Sequence, residues 1–430
     1  LGLACTLIRS PELLVLDEPT VGVDPLSRRE LWEIIGMLVK NEGLTVLVST
    51  SYLDEAEKCD SVMILRGGKV IANGTPESIR AMADGRSFLV TPGPGRNARS
   101  LQSELIDMAS MTDAVPEGGL VRCVASNPEA VAFLVKQGAQ PAAPRLEDGF
   151  MTALHAFETR TPPVSLKLEK PFDTAARDTV ITVRGLVRMF GDFAAVDHVD
   201  FEVRRGEVFG LLGPNGAGKT TTFRMLCGLL PASEGHLEVA GMNLRTARAD
   251  ARRKLGYVAQ KFSLYGDLTV MENLVFFARA YGLHSEKRKA RIDWAVSSFE
   301  LSDFTSLAAG QLPGGFKQRL AMAAALLHEP EILFLDEPTS GADPLARREF
   351  WRRISALSDD GVTVVVTTHF MEEAEYCDHI VIQDAGKLLA RGSPAEVRAL
   401  ARPTQGRAAT MEDAFIAIVA ESRARKGRLS

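Results

Sequence analysis

The chain has 430 residues, 46% of them hydrophobic and 24% charged, and a formal net charge of −5 at pH 7. This length allows two or three domains, and the slightly acidic balance gives no reason to expect nucleic acid as a partner. No apolar run reaches the roughly 18 residues that a transmembrane helix needs. The five cysteines are widely separated and form no Cys-x-x-Cys pair, which argues against a metal site and suits free thiols in a reducing compartment.

Residues 1–82 recur later in the chain with the same residue types in the same order. The apolar run that ends in Asp17-Glu18-Pro-Thr20 returns as a run that ends in Asp336-Glu337-Pro-Thr339. The sequence therefore predicts two copies of one structural unit. Further matching positions are Asp24 and Asp343, and Cys59 and Cys377.

Residues 83–160 have no counterpart of equal length after the second copy. Strand-like runs and helical spacing within them predict a small α+β appendage. Residues 161–178 contain Pro and charge without periodicity, which predicts a linker. The predicted elements of the appendage are the strands Ser87–Val90 and Leu120–Ala125 and the helices Arg99–Ala109, Pro128–Lys136 and Leu146–Phe157.

The second copy begins near Thr179 and carries a glycine-rich turn between an apolar run and a predicted helix. This turn matches the phosphate-binding pattern G-x-x-x-x-G-K-[ST]. Its glycines let backbone N–H groups surround phosphate oxygens, and the helix start adds a positive dipole. Lys219 can reach the β- and γ-phosphates, and the Thr220 hydroxyl can bind Mg²⁺. The predicted ATP-binding residues of this turn are Gly213, Asn215, Gly216, Ala217, Gly218, Lys219, Thr220 and Thr221.

Two residues outside the turn are weaker candidates. Phe190 lies between two predicted antiparallel strands, where it could stack on a nucleobase or, equally well, belong to the core. Gln260 ends a predicted strand, where its amide could contact Mg²⁺ or the attacking water. Alone it would be read as a surface-loop glutamine, but its place after the phosphate-binding turn favours the functional interpretation.

Three motifs follow in the second copy. The paired glycines of Leu312-Pro313-Gly314-Gly315-Phe316 precede a predicted apolar helix, Leu320–His328, and offer N–H groups to an anion. Asp336 ends a predicted strand, where it can hold Mg²⁺, and Glu337 faces the other way, where it can polarise the hydrolytic water. His369 ends the next buried strand. A lone histidine is usually structural, but here it is placed to sense the γ-phosphate.

The order and spacing of these motifs resemble those of the ABC ATPase domain. The resemblance covers nearly all of residues 179–400, and residues 1–82 resemble the back half of a second such domain. It implies that about 140 residues of the first domain are absent ahead of Leu1. Thr75–Ile79 and the Leu-Glu-Asp-Gly-Phe segment that opens the helix after the appendage look most like ABC-2-type, multidrug-type exporters with two fused ATPase units.

The implied fold class is α/β, with P-loop NTPase domains that contain a mixed core sheet, an antiparallel β subdomain and a helical subdomain. The basic end Glu421–Ser430 is expected to be a frayed, solvated tail. The expected segments are a partial first ATPase domain (1–82), the appendage (83–160), the linker (161–178), a complete second ATPase domain (179–402) and a C-terminal helix with the basic tail (403–430).

Departures from the family pattern predict two unequal ATP sites. In the resembling family, two units meet head to tail, and each ATP lies between one unit's Walker motifs and the other's Leu-Ser-Gly-Gly-Gln signature; Asp24 and Asp343 are the D-loop positions. Pro313 lacks the signature hydroxyl and the N–H, and Ser51 stands where the second copy has His369. Both departures fall on the site that contains Asp17 and Glu18, which we therefore expect to be the slower one.

The resemblance implies an ATPase that uses ATP and Mg²⁺ to power an exporter. The implied partners are integral-membrane permease subunits on separate chains, a periplasmic adaptor and the second ATPase unit in cis, with no nucleic acid. The implied location is the cytoplasmic face of the inner membrane, as a peripheral protein. Two alternatives stay open: a soluble tandem ATPase acting on the ribosome, which would need a basic surface, and a tandem importer ATPase.

Overall fold

The computed structural model describes residues 11–158, 166, 168, 171–172, 178–401 and 409–427. For residues 426 and 427 it describes the backbone alone. Most of the predicted linker therefore lies outside the described residues, as do residues 1–10 and the end of the basic tail. The chain divides into two compact units, one up to residue 162 and one from residue 163 onward. Among the helices in the described residues, none combines the length and apolar character needed to span a bilayer.

The first unit begins with a pair of parallel strands, β1 (Leu13–Asp17) and β2 (Thr45–Ser49). Helix α1 (Pro25–Glu42) connects them, and Gly43, with a φ of 67°, ends this helix in the left-handed conformation. These elements are followed by α2 (Leu53–Ala56), the antiparallel strands β3 (Val62–Arg66) and β4 (Lys69–Gly74), and α3 (Pro76–Arg80).

The appendage contains β5 (Ser87–Val90), α4 (Ala98–Asp107), β6 (Met111–Glu117), β7 (Leu120–Ala125), α5 (Pro128–Lys136) and β8 (Gln140–Pro141). Its four strands form an antiparallel sheet in the order β6-β7-β5-β8. This βαββαβ arrangement is ferredoxin-like. The two helices cover one face of the sheet, where Phe88, Leu105, Cys123 and Leu134 form a separate core.

Helix α6 (Leu146–Phe157) packs on the appendage sheet and on α3. The buried Asp148 carboxylate accepts hydrogen bonds from Ser87 Oγ at 2.8 Å and from an Arg122 Nη at 2.9 Å. Because Ser87 and Arg122 alternate with Phe88 and Cys123 along their strands, α6 lies on the face opposite α4 and α5. The helix thus joins the appendage to the rest of the first unit.

The strands of the second unit are β9 (Thr179–Phe190), β10 (Phe193–Arg204), β11 (Val208–Leu212), β12 (Glu234–Val239), β13 (Met242–Asn243), β14 (Leu255–Val258), β15 (Ile332–Asp336), β16 (Thr363–Thr368), β17 (His379–Asp384) and β18 (Lys387–Gly392). Its helices are α7 (Lys219–Leu226), α8 (Arg248–Arg252), α9 (Val270–Ala280), α10 (Ser285–Ser298), α11 (Gly314–Leu326), α12 (Pro344–Asp359), α13 (Met371–Ala374), α14 (Pro394–Ala399) and α15 (Met411–Gly427).

A six-stranded sheet in the order β14-β15-β16-β11-β17-β18 forms the centre of the second unit. Its strands run parallel except for the antiparallel pair β17 and β18. Strands β11, β15 and β16 are buried along their whole length, which explains their continuous apolar runs. Strands β9, β10, β12 and β13 form a separate antiparallel sheet, and α9, α10 and α11 pack together. The predicted fold class is confirmed.

The parallel strands bring several predicted site residues to one edge of the central sheet. Strands β11, β14, β15 and β16 run in the same direction, so the segments that follow their carboxyl ends lie side by side. These segments contain the glycine-rich turn, Gln260, Glu337 and His369. Crevices outside the carboxyl ends of parallel strands are the usual ligand sites of open α/β sheets.

Two predicted features are wrong. The helix expected at Leu320–His328 begins at Gly314, because the residues after Pro313 can continue helical backbone and Pro at the boundary suits a helix start. The expected frayed tail is helical to Gly427, and Arg423 lies 3.3 Å from the Asp384 carboxylate. This charge pair and the apolar residues of the preceding turns hold the end of the chain against the second unit.

Candidate functional site

The glycine-rich turn joins β11 to α7 and lies against neighbouring backbone. A Cβ atom at Gly213 would lie 2.1 Å from the Gln383 carbonyl oxygen, and one at Gly218 would lie 2.3 Å from the Ala195 carbonyl oxygen. Gly218 also has a φ of 99°, where any side chain is strained. Glycine is therefore required at both positions.

Lys219 begins α7 and directs its ammonium group back into the turn. The residue is only 5% exposed, and Nζ donates to the carbonyl oxygens of Gly213 at 2.6 Å and Pro214 at 3.1 Å. A cation held beside the open N–H groups of a helix start favours an anionic ligand. Of the other predicted ATP-binding residues, Asn215, Gly216 and Thr220 are exposed, Gly218 and Thr221 are partly buried, and Ala217 is buried.

Asp336 ends β15 with its carboxylate buried, and Thr367 Oγ1 donates to Oδ1 at 2.6 Å. Burial raises the pKa of Asp336, although the Thr367 hydrogen bond opposes the shift. The Asp336 carboxylate and the Thr220 hydroxyl are oxygen ligands of the kind that Mg²⁺ takes together with phosphate oxygens and water, so these residues fit the predicted ion. Within the described ranges, no group of three or more His, Cys, Asp or Glu could hold a metal.

Glu337 is held from three sides. Its backbone N–H donates to Thr367 O at 3.0 Å, Gln260 Nε2 donates to its Oε2 at 2.6 Å, and His369 Nδ1 lies 3.2 Å from the same oxygen. Burial raises the pKa of Glu337, but the neighbouring His369 and Lys219 more than offset this effect, so the pKa lies below its ordinary value. The carboxylate is therefore ionised at neutral pH and can accept a proton.

His369 follows β16 and is only 2% exposed. Although Nδ1 lies close to Glu337, the angles are not those of a hydrogen bond, and within the described residues neither ring nitrogen has a hydrogen-bond partner. Its ring lies beside Phe370, with 4.2 Å between the centroids. Buried imidazole nitrogens normally bond to something. Because Nδ1 faces the Glu337 carboxylate, Nε2 is the ring nitrogen suited to a group from outside the protein.

The predicted signature occupies the start of α11. Leu312 is buried, Pro313 precedes the first helical residue without a side-chain cap, and Gly314 and Gly315 are exposed in the first turn. The N–H groups of a first helical turn have no acceptor within the helix. Phe316 packs on Phe304, with 4.3 Å between the ring centroids.

The matching residues of the first unit have a similar local arrangement, with Ser49 in place of Thr367 and Ser51 in place of His369. Asp17 ends β1 and accepts a hydrogen bond from the Ser49 hydroxyl. The Ser51 backbone N–H and hydroxyl donate to Glu18 Oε2 at 3.2 and 3.3 Å. A hydroxyl thus stands beside this carboxylate where the second unit has the His369 imidazole.

Asp24 and Asp343 have a structural role that the sequence analysis did not assign. Each precedes a helix, α1 and α12 respectively, and its Oδ1 accepts a hydrogen bond from the backbone N–H three residues on, at 3.2 and 2.9 Å. An N-cap of this kind typically stabilises the folded protein by about 1 kcal/mol.

Phe190 lies at the end of β9, is 48% exposed and stacks with the Arg188 guanidinium at 4.7 Å. Its exposure argues against the core alternative. The structure thus brings Gln260, Glu337 and His369 into contact around one carboxylate, while the described contacts of Phe190 and Phe316 lie elsewhere.

Two buried glutamates were missed in the sequence analysis. Glu55 and Glu373 are fully buried, and each accepts hydrogen bonds from two threonine hydroxyls. Their signal in the sequence is the repeat itself, since Glu55-Ala-Glu and Glu373-Ala-Glu occupy matching places in the two copies.

Comparisons with known proteins find this chain similar to ABC transporter ATP-binding proteins. Residues 196–340 match a family model described as "ABC transporter". The chain is 47% identical over 425 residues to a protein of Escherichia coli (strain K12) described as "Probable multidrug ABC transporter ATP-binding protein YbhF", covering 97% of this chain and 73% of that protein. It is 41% identical over 223 residues to "Daunorubicin resistance ATP-binding protein DrrA3" of Streptomyces coeruleorubidus, covering 52% of this chain and 71% of that protein.

Among solved structures, one described as "Structure of ATP binding subunit of ABC transporter" is similar to this chain. The TM-score is 0.51 at 29% sequence identity, and the similarity covers 56% of this chain and 100% of that chain.

Proposed function

Because this chain belongs to the family of ABC transporter ATP-binding proteins, we propose that it powers the export of drugs or other small hydrophobic molecules across a membrane. The chain is an ATPase of that family. The observation that carries the proposal is the cluster of Gln260, Glu337 and His369 beside the glycine-rich turn, an arrangement suited to ATP hydrolysis. The names of two relatives refer to multidrug transport and daunorubicin resistance, which supports export.

The proposed roles follow from the contacts of each residue. The glycine-rich turn and Lys219 bind the phosphates, and Phe190 stacks on the base. Thr220 and Asp336 would hold Mg²⁺, which would supply positive charge beside the phosphates. Glu337 accepts a proton from the attacking water, a contribution worth about 10²–10⁴ in rate. Gln260 orients that carboxylate, and the buried His369 imidazole, which lies beside it, contacts the γ-phosphate.

We propose further that the two copies have unequal activity. In the copy with Glu337, the His369 imidazole lies 3.2 Å from that carboxylate. At the matching position, the copy with Glu18 has Ser51, whose backbone N–H and hydroxyl donate to Glu18 Oε2. The signature with Pro313 would serve the Glu18 site, since family members pair each Walker set with the other unit's signature. The Glu337 site is then the fast one and the Glu18 site mainly holds ATP.

The proposed partner is an integral-membrane permease on separate chains, contacted near Gln260 at the cytoplasmic face of the membrane. A pair of exposed aromatic side chains close to Gln260 in the sequence supports this contact site. Tyr265 is 50% exposed and Phe276 is 43% exposed, and their ring centroids lie 4.9 Å apart. Exposed aromatic groups of this kind mark protein contacts. A periplasmic adaptor that extends the export path is a further proposed partner.

Affinity purification of the tagged protein from detergent-solubilised membranes tests the proposal. We expect a multi-span permease to co-purify and to be lost in a Tyr265→Ser, Phe276→Ser double variant. Co-purification of ribosomes would instead support the soluble alternative. A permease joined by a substrate-binding protein would support the importer alternative.

A further inference from the structure

Glu373, in α13, is fully buried and receives two hydroxyl hydrogen bonds. Thr368 Oγ1 donates to its Oε2 at 2.6 Å, and Thr339 Oγ1 donates to its Oε1. A buried carboxyl group is costly unless hydrogen bonds satisfy its oxygens, and here each oxygen has a threonine hydroxyl as its partner. Both threonines are therefore held firmly.

The two threonines belong to the segments that carry the hydrolytic residues. Thr339 comes two residues after Glu337, and Thr368 immediately precedes His369. Thr368 Oγ1 also accepts a hydrogen bond from the Phe370 N–H at 2.9 Å, which fixes the backbone on the far side of His369. One carboxylate thus ties together the segment after β15 and the end of β16.

We propose that Glu373 is a positioning residue that sets the distance between Glu337 and His369 during ATP hydrolysis. It touches neither of these side chains through a hydrogen bond and acts through Thr339 and Thr368. This inference rests on the proposed role of His369 at the γ-phosphate. Residues that hold a catalytic group within about 1 Å of its place can change the rate about 100-fold.

The first unit contains the same arrangement without the histidine. Glu55 is fully buried and accepts hydrogen bonds from Thr20 Oγ1 and from Thr50 Oγ1, the latter at 2.7 Å. Thr50 precedes Ser51, whereas Thr368 precedes His369. Glu55 therefore provides a matched control, because its loss should disturb the fold to a similar degree but has no imidazole to displace.

The test compares Glu373→Gln with Glu55→Gln in the intact protein, with ATPase kinetics and thermal unfolding measured for each. We expect the two variants to lower Tm by similar amounts. Glu373→Gln should also lower kcat about tenfold with little change in KM, whereas the kcat of Glu55→Gln should stay within about twofold of that of the unchanged protein. Thr368→Ser keeps the donor hydroxyl and should retain the kcat that Thr368→Val loses. Equal kcat losses in the two glutamine variants, or losses that track Tm alone, would overturn the proposal.

A double-mutant cycle separates this inference from the proposed function. If Glu373 acts through His369, adding Glu373→Gln to His369→Ala should lower kcat no further, whereas independent effects would multiply. Multiplicative effects would reject the positioning role even if His369 proves essential. A His369→Ala variant with unchanged kcat would instead reject the proposed role of His369, and with it the premise of this inference.

Discussion

At the scale of single residues, Glu337 has a backbone conformation that few residues other than glycine adopt, with a φ of 44°. Glu18 has the same φ at the matching position of the first unit. Such strain typically costs about 1–3 kcal/mol and persists where the surrounding structure demands it. The backbone N–H of each glutamate donates to the neighbouring strand, to Thr367 O and Ser49 O respectively. The carboxylate is thus held at the sheet edge in both units.

Replacing the two glutamates separately should reveal which site hydrolyses ATP. We expect Glu337→Gln to lower the steady-state ATPase rate of the intact protein about 100-fold or more, because the amide cannot accept the proton from water. The matched Glu18→Gln variant should lower this rate less than about fivefold, because the Glu18 site has Ser51 in place of the His369 imidazole and is proposed to hydrolyse little ATP. Equal losses would contradict the proposed asymmetry.

The close approach at Gly218 makes a second prediction. Gly218→Ala should abolish detectable ATP binding and destabilise the fold by more than about 2 kcal/mol, because a Cβ there meets the Ala195 carbonyl oxygen. Gly241, with a φ of 73° and open space around its Cα, is the control. Gly241→Ala should cost only about 1 kcal/mol and leave binding intact. Fluorescent-nucleotide titration measures ATP binding, and urea unfolding measures the stability of each variant. Normal affinity for the nucleotide in Gly218→Ala would contradict the structure.

At the scale of elements, the sequence predicted several ranges well and missed others for physical reasons. Helix α6 and strand β7 have the predicted bounds because their apolar spacing is uninterrupted. Strand β6 was missed because Asp113 and Pro116 break its apolar pattern. Asp113 pairs with Val124 on the face that α6 covers, whereas Pro116 pairs with Val121 on the face of the appendage core. Their burial thus depends on tertiary contacts that local spacing does not encode.

Removal of the Asp148 carboxylate should loosen α6. It accepts hydrogen bonds from Ser87 and Arg122, and an Asp148→Asn variant leaves the buried guanidinium with less negative charge. We expect a loss of about 3 kcal/mol in the free energy of unfolding of the first unit. The control is Glu158→Gln, which removes a partly exposed pair with Arg66 at 2.8 Å and should cost less than about 1 kcal/mol. Similar costs in urea unfolding would contradict this account.

His328, just beyond α11, should make stability depend on pH. Burial lowers the pKa of His328 from 6.5 to about 4, although its hydrogen bond to the Leu255 carbonyl oxygen opposes the shift. The unfolded chain therefore binds the proton first, so stability is complete above pH 6.5 and falls as the pH drops toward 4, by at most roughly 3 kcal/mol.

The measurement is urea unfolding at pH 7 and at pH 5 for the protein and for His328→Gln. The variant should lose stability at pH 7 because the ring no longer stacks on Tyr281, 3.8 Å away. The difference between its free energies of unfolding at pH 7 and pH 5 should be smaller than that of the unchanged protein. An unchanged difference would show that other groups carry the pH dependence.

At the scale of the whole molecule, the sequence could predict the individual motifs of the site better than their assembly. The glycine-rich turn is local, so its residues could be recognised directly. Gln260, Glu337 and His369 are far apart in sequence, and their contact depends on the order of parallel strands. Glu373 was not found because a glutamate in a short helix is ordinarily exposed, and only the tertiary structure shows its burial.

The segments that match between the two units are separated by the appendage in the first unit. Helix α6 packs on α2, α3 and β4 in the first unit, and α15 packs on α13, α14 and β18 in the second. Asp148 and Asp413 each accept a hydrogen bond from the backbone N–H three residues earlier, at 3.0 Å in both cases. The ferredoxin-like elements β5–β8 thus lie between two elements that occur in both copies.

The close seating of α6 has a consequence for how this architecture can change over generations. A Cβ at Gly149 would lie 1.9 Å from the Ile79 carbonyl oxygen. Ile79 lies in α3, just before the appendage, and Gly149 lies in α6, just after it. The chain therefore enters and leaves the appendage at neighbouring points. A gene segment that encodes a whole domain can be gained or lost at such a point without rearranging the rest of the fold. The appendage is thus free to diverge, or to be exchanged for another domain, while the ATPase scaffold stays under its own selection.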